Sequence, residues 1–162
     1  MSQIEYFRPF PIEYSFPIDE EPLLVHRFLV HLPEKLETPS YRVQSVSAMV
    51  FDFTKGAWND ISISILDTVS DPDAFIRFMN YFYSSKKEPI NIEYVDGPGV
   101  AVYHATIDAY EVLKITRPDL SYGDDGLHKT TLVLRPKSIS IGYGDQKVAY
   151  NSKEKRKLFG LW

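Results

Sequence analysis

The sequence contains no cysteine, which excludes a disulfide framework, thiol chemistry and a zinc–thiolate site. No apolar run approaches the roughly 20 residues that a helix needs to cross a bilayer. The first residues also lack the basic region followed by an apolar stretch that marks a secretory signal. We therefore expect a protein that is made and used in the soluble phase, with no membrane partner.

An excess of basic residues is absent too, because 22 acidic side chains outnumber 18 basic ones and leave a formal charge of −4. A general nucleic-acid binder needs a basic surface that releases phosphate counterions. This charge still permits a surface past which nucleic acid slides without binding. Glycine is scarce, at 8 of 162 residues, whereas hydrophobic residues reach 44% and aromatics 14%, so the composition suits one packed domain.

Catalytic motifs are missing as well. The four histidines form no metal-spaced pair, and His26 and His31 would point to opposite faces of an expected strand. There is no G-x-S-x-G elbow, and Gly142-Tyr-Gly144 lacks the third glycine and the following helix of a phosphate-binding loop. Asp124-Asp125 is typical of an exposed turn tip. The sequence predicts no enzymatic activity, no catalytic residue, no bound metal and no cofactor.

The chain divides into three segments: an extended arm over residues 1–22, a β-domain over 23–150 and a tail over 151–162. Four prolines exclude a continuous helix or a central strand from the arm. The arm and the tail carry many aromatic side chains, whose exposure to water is unfavourable. We therefore expect both segments to pack on their own domain or on neighbouring subunits. The acidic run Asp19-Glu-Glu21 and the basic cluster at 153–157 have opposite signs, which suits head-to-tail contact. The expected contact residues are Tyr6, Phe7, Phe10, Phe159 and Trp162.

Strand patterns dominate the middle segment. Residues 23–32, 41–49 and 50–54 are predicted strands, with a bulge at Gln44-Ser45 and a turn at Lys55-Gly56. Residues 61–65 alternate strictly, so their isoleucines face a core while Ser62 and Ser64 face polar surroundings. Strands at 90–95 and 100–115 flank a turn at 96–99. A last strand covers 129–141, where Pro136 predicts an edge or a bend.

One helix is predicted from Asp71 to Tyr83, with Asp71 as its cap and Pro72 in the first helical position. Its apolar stripe follows helical spacing and consists of Phe75, Phe78, Met79 and Phe82. The predicted order is strands, one helix and then strands again. A doubly wound sheet requires strands and helices to alternate regularly, so this order argues against it. The order favours a mainly β, α+β fold: an antiparallel β-sandwich or small barrel with one flanking helix.

This order of elements, over residues 24–141, resembles the tail tube proteins of contractile-tailed phages. Their fold is shared by the haemolysin-coregulated tube proteins of type VI secretion and by extracellular contractile injection systems. The resemblance is carried by residues 58–82, where an aromatic opens a strand that leads through a short acidic turn into the single helix. Residues 27–32 and 41–49 look like the opening strand pair, and 105–110 and 129–134 like closing strands. The proline-rich arm and basic tail depart from the pattern and suggest a relative that initiates or terminates the tube.

The resemblance implies a structural subunit whose hexameric rings stack into a DNA conduit inside a contractile tail. It implies that residues 45–58 form a hairpin reaching the adjacent ring, with contacts by Phe51, Phe53 and Trp58, and that the helix lies outside the barrel. The implied partners are copies of the chain, sheath and baseplate proteins, and passing DNA that is not bound specifically. The implied location is the virion tail, after synthesis in the host cytoplasm. The implied channel-lining residues are Ser62, Ser64, Asn91 and Glu93.

Two other hypotheses fit the composition. A monomeric β-sandwich module would bind carbohydrate or peptide through exposed tyrosines. An enzyme on a small flavin-type barrel would carry a bound chromophore. Assembly state distinguishes the first from a tube subunit, and the colour of the purified protein tests the second.

Overall fold

The computed structural model describes residues 21–84 and 86–153, and these form nine strands and one α-helix. The predicted contact residues Tyr6, Phe7, Phe10, Phe159 and Trp162 lie outside the described residues. Two short 3-10 turns, Glu34–Leu36 and Ser40–Arg42, connect β1 to β2. In chain order the elements are β1 (Phe28–His31), β2 (Val43–Val46), β3 (Phe51–Asp52), β4 (Ala57–Trp58), β5 (Ile61–Leu66), α1 (Ala74–Tyr83), β6 (Ile90–Val95), β7 (Ala101–Thr116), β8 (Lys129–Tyr143) and β9 (Gln146–Asn151).

One antiparallel sheet has the strand order β1-β6-β7-β8-β5-β2, and β9 pairs with the second half of β8. Strands β3 and β4 form a separate hairpin. The two edge strands approach each other, since residues 28–29 of β1 and 43–46 of β2 line one cavity of about 440 Å³. The sheet therefore curls into a nearly closed barrel, which agrees with the predicted α+β fold class.

Alternation in β5 decides which face of the sheet is inside. Ile61, Ile63 and Ile65 are 0%, 0% and 2% exposed and belong to the core cluster, as their spacing predicts. Val30 on β1 and Ile92 on β6 join the same cluster from across the barrel. Burying each such side chain contributes about 1.5–3 kcal/mol, so the two walls hold each other in place.

The helix packs on this core with a stripe that differs from the predicted one. Phe78 and Phe82 are buried and Tyr81 packs against the core, whereas Met79 is 40% exposed. The helix begins at Ala74, and its first turn has no side-chain cap, so the predicted capping by Asp71 is wrong. The Asp71 carboxylate accepts hydrogen bonds from two arginines instead. Among the described residues, no helix has the length and apolar character that crossing a bilayer requires.

The opening strands are shorter than predicted. Strand β1 begins only at Phe28. A turn precedes it, in which the Arg27 amide donates to Leu24 O at 3.0 Å. His26 lies in that turn, so the argument about opposite strand faces does not apply to it. A 3-10 turn occupies residues 40–42 and delays β2. The predicted bulge is confirmed, because the β2–β5 register shifts between Val43 and Ser45.

Strand β8 continues through Pro136 without a break. Pro136 pairs with Tyr110 of β7 on one side. On the other side, the partner strand changes from β5, last paired at Leu134, to β9, first paired at Ser138. Proline has no N–H to donate, and here it stands where no second strand needs that donor. The sequence predicts that Pro136 marks an edge or a bend. It lies instead in the central strand β8, at a short gap between the residues that pair with β5 and those that pair with β9.

Candidate functional site

The β3–β4 hairpin carries the three aromatics predicted to contact an adjacent ring. Phe51 pairs with Trp58 across the hairpin, and their rings meet edge to face at a centroid distance of 5.2 Å. Phe53 packs edge to face on Phe51 at 5.1 Å. In the turn, Thr54 donates to the Asp52 carboxylate and so lowers the pKa of Asp52. The hairpin is a small aromatic cluster with its own polar turn.

Exposure separates the three aromatics. The Phe53 side chain is 89% exposed. Phe51 and Trp58 are half-buried, and Trp58 packs against the barrel core. Phe53 therefore has the most surface free for a contact to another molecule, and Trp58 is packed in part against its own barrel.

The hairpin is tied to residues 150–153, which we call the C-terminal strap. The Trp58 amide donates to Ser152 Oγ at 2.9 Å, and Trp58 Nε1 donates to Tyr150 O at 2.8 Å. The Lys153 amide donates to Gly56 O at 2.8 Å. Gly56 has φ +66°, and a Cβ there would lie 2.8 Å from Lys153 Cδ. These contacts fix the direction in which the hairpin projects.

Ser152 joins the strap to the gap in β8. Its hydroxyl donates to Pro136 O at 3.1 Å, and its amide donates to Lys137 O at 2.8 Å. The strap thus supplies the pairing that β8 lacks between its two partner strands. Sequence analysis missed this link because the Trp58–Tyr150 contact joins residues 92 positions apart, and no periodic pattern marks such a contact.

A cleft of about 1150 Å³ lies between the hairpin, β8 and the strap. We call it the basic cleft, because its lining includes Lys55, Arg135, Lys137 and Lys153 against two carboxylates, Asp60 and Glu111. Each carboxylate is engaged, Asp60 by Arg135 at 3.3 Å and Glu111 by Lys137 at 3.4 Å. Lys55 and Lys153 form no ion pair with any residue in the described part of the chain. The cleft therefore carries excess positive charge in a protein whose net charge is −4.

Ser62 and Ser64 lie on the outer face of β5. Ser62 exchanges hydrogen bonds with Ser47, donating its amide to Ser47 Oγ at 2.8 Å. Ser64 Oγ lies 3.2 Å from Thr131 Oγ1 on β8. Ser45 of β2 pairs with Ser64 on the other side. This wall of the barrel is rich in hydroxyl groups.

Asn91 and Glu93 lie on the outer face of β6, where the chemistry differs. Thr106 donates to Asn91 Oδ1 at 3.2 Å. His31 Nε2 of β1 lies 2.6 Å from Glu93 Oε1, and His104 of β7 pairs with Glu93 in the sheet. This wall carries a carboxylate and two histidines.

The barrel separates the two predicted channel-lining pairs. Strands β5 and β6 are three steps apart in the order β1-β6-β7-β8-β5-β2, and β1 lies beside β2. They occupy opposite walls, so outward-facing side chains on them point away from each other. The two predicted channel-lining pairs, Ser62 with Ser64 and Asn91 with Glu93, therefore lie on different walls of one subunit.

A second polar cluster anchors the helix. Arg77 donates to both Asp71 oxygens, at 2.7 and 2.6 Å, and Arg42 donates to Asp71 Oδ2 at 2.7 Å. Arg77 Nε also donates to Leu36 O at 3.1 Å. The hydrogen bond from Arg77, supported by Arg42, lowers the pKa of Asp71 to about 2. The cluster joins the helix to both 3-10 turns.

A tyrosine platform or metal centre would give the molecule a different function. Tyr81, Tyr41 and Tyr94 line three different cavities. Tyr94 stacks on Tyr103 at 4.2 Å, and burial raises the pKa of Tyr94 to about 12. Within residues 21–84 and 86–153, no group of three or more His, Asp or Glu could hold a metal ion. Tyr81, Tyr41 and Tyr94 thus do not line one common cavity.

No protein-family model matches the chain, and no curated protein sequence matches it significantly. The tube terminating cap of the anti-feeding prophage is 15% identical, with a TM-score of 0.58 over 83% of this chain and 100% of that chain. A chain of the sheath–tube complex of the PVC extracellular contractile injection system is 15% identical, with a TM-score of 0.58 over 80% of this chain and 100% of that chain. Hcp1 from Salmonella typhimurium is 11% identical, with a TM-score of 0.52 over 80% of this chain and 96% of that chain. The chain thus has the fold of tail-tube and Hcp proteins, as its element order predicts.

Proposed function

We propose that this protein is a structural, non-catalytic subunit of a tail tube, and that copies of it form hexameric rings. The observation that carries the proposal is the fold match, which covers nearly the whole length of a tube terminating cap and of Hcp1. Closed rings need heterologous contacts, in which two different surfaces of each copy meet. The basic cleft is one surface available for such a contact, and the exposed Phe53 is the proposed contact from one ring to the next.

Within this proposal, stacked rings conduct genomic DNA without binding it, inside the contractile tail of a virion that is made in the host cytoplasm. The channel wall is β5, with Ser62 and Ser64. Hydroxyl groups hydrate the wall without attracting phosphate, whereas the β6 wall would place ionisable groups beside the DNA. Asn91 and Glu93 then face away from the channel.

Sheath and baseplate proteins are the proposed outer partners. The helix lies outside the barrel core and leaves Ile76, Met79 and Tyr83 exposed at 59%, 40% and 91%. Such apolar side chains on one helix suit a protein contact.

A tube terminator or a baseplate tube initiator is the alternative variant of this function. One similar structure is a tube terminating cap. The strap also holds the β3–β4 hairpin on its own subunit, which limits how far that hairpin extends toward a next ring. A terminator needs one face that accepts a ring and one that does not.

Electron microscopy of purified protein over a concentration series tests the proposal. We expect six-fold rings, and a terminator will give single or paired rings whereas a tube body will give long tubes. Mass photometry of the same samples must show a species of six copies. A monomer at every concentration, with no particles in negative stain, would contradict the proposal and favour the ligand-binding module. A coloured preparation would instead favour the flavin-type enzyme.

A further inference from the structure

We infer that the basic cleft binds the acidic residues Asp19 and Glu20 from the arm of a second copy. The inference rests on the proposed self-assembly and names one of its contacts. The contact is heterologous, because the arm and the cleft are different parts of each copy.

The cleft has the charge and shape for an acidic, extended segment. It brings four cations together around a volume of about 1150 Å³. Two of these cations, Arg135 and Lys137, are already neutralised by Asp60 and Glu111. Lys55 and Lys153 form no ion pair with any other described side chain, so they supply the attraction for an added carboxylate.

The arm supplies the matching charge. Residues 19–21 are the only run of three acidic residues in the sequence. Glu21 is used within its own copy, where its Oε2 accepts a hydrogen bond from the Gly97 amide at 3.2 Å. Glu21 is thus anchored at the turn between β6 and β7, and Asp19 and Glu20 directly precede it in the sequence.

The distance from Glu21 to the cleft determines whether Asp19 and Glu20 can contact the cleft of their own copy. Asp19 is two residues from Glu21, so it reaches about 7 Å from that anchor. The cleft lies at Pro136, which pairs with Tyr110. From Ala101, next to the anchoring turn, to Tyr110 the strand runs for about 30 Å. The distance from Glu21 is therefore too long for a contact with the cleft of the same copy, so the proposed contact joins two copies.

Zero-length cross-linking of the full chain tests this contact. Unlabelled and heavy-isotope-labelled protein are mixed in equal amounts, assembled, separated by size and treated with a carbodiimide, which joins carboxylates to lysine amines. We expect cross-links from Asp19 or Glu20 to Lys55 or Lys153 in the assembled fraction, about half of them joining heavy to light chains. Cross-links within one isotope form only, or none in assembled protein, would overturn the inference.

Charge variants give an independent test. Asp19→Asn with Glu20→Gln removes the proposed charge, and Asp124→Asn with Asp125→Asn removes an equal charge from an exposed turn. We expect the first pair to weaken assembly at least tenfold in midpoint concentration and the second to leave it unchanged. Lys55→Glu should weaken assembly similarly, and adding Glu20→Lys should restore it. Normal assembly by the first pair overturns this inference alone, whereas a chain that never assembles overturns the proposed function too.

Discussion

At the scale of single residues, Asp71 controls how the helix is attached to the barrel. Its carboxylate is 16% exposed and receives hydrogen bonds from Arg77 and Arg42. Its pKa of about 2 is below the ordinary value of 3.8. A carboxylate with a lowered folded-state pKa stabilises the fold fully above the unfolded pKa and loses that effect as pH falls through the folded one. The relevant window is therefore between about pH 4 and pH 2.

We expect Asp71→Asn to cost about 1–2 kcal/mol of unfolding free energy at neutral pH, since two arginines lose a charged partner. The variant should also lose less stability than the original protein between about pH 4 and pH 2. Urea unfolding at a series of pH values measures both effects. Asp125→Asn, in an exposed turn, is the matched control. Parallel acid profiles for Asp71→Asn and the original protein would contradict the role of Asp71.

Ser152 is the residue on which the strap depends. Ser152→Ala leaves the Trp58 amide and Pro136 O without their partner, and we expect a loss of about 1–2 kcal/mol. Hydrogen exchange at residues 56–58 should accelerate, because the hairpin loses a contact to the strap. Ser152→Thr keeps a hydroxyl and should restore slow exchange. If Ser152→Ala exchanges as slowly as the original protein, the strap does not hold the hairpin.

At the scale of elements, the β3–β4 hairpin divides its aromatics between folding and assembly. We expect Phe53→Ser to leave the unfolding free energy within about 0.5 kcal/mol, since the side chain is 89% exposed. The same change should prevent rings from stacking, as seen by electron microscopy. Phe51→Ser is the comparison, and it should destabilise the monomer because Phe51 packs on Trp58. A Phe53→Ser protein that stacks normally would remove Phe53 from the interface.

Elements whose cause is local could be predicted from the sequence. Alternation placed the isoleucines of β5 inside, and a phase slip in the apolar pattern located the bulge beside Ser45. The turn between β6 and β7 follows from its glycines, and Gly99 has φ +92°. In each case the determining residues are neighbours in sequence, so the pattern carries the information.

Features that depend on contacts between residues far apart in the sequence could not be predicted. Asp71 satisfies the local rule for a helix cap, yet its carboxylate binds Arg77 of the helix and also Arg42, which lies 29 positions away in sequence. The hairpin position depends on the strap, which ordinary propensity leaves undetermined. The choice of channel-lining residues stays a prediction, because alternation identifies the outer face of a strand and not the wall on which that strand lies.

At the scale of the whole molecule, the curled sheet gives each subunit two chemically different outer walls. The β5 wall presents hydroxyl groups, and the β6 wall presents Glu93 with His31 and His104. The proposed ring would repeat each wall once per copy, so any charge on a wall that faced its channel would be multiplied by the copy number. Channel chemistry therefore depends on subunit orientation more than on any one residue.

The last prediction concerns that orientation and uses the absence of cysteine from the chain. Ser62→Cys and Asn91→Cys each introduce one thiol, on the β5 wall and the β6 wall respectively. Assembled rings of each variant are treated with a maleimide-linked gold particle and imaged. Because the proposed channel wall is hydroxyl-rich and uncharged, we expect Ser62→Cys rings to carry density in the central hole and Asn91→Cys rings to carry it elsewhere. The reverse pattern would assign the channel to Asn91 and Glu93, and DNA would then pass a wall that carries a carboxylate.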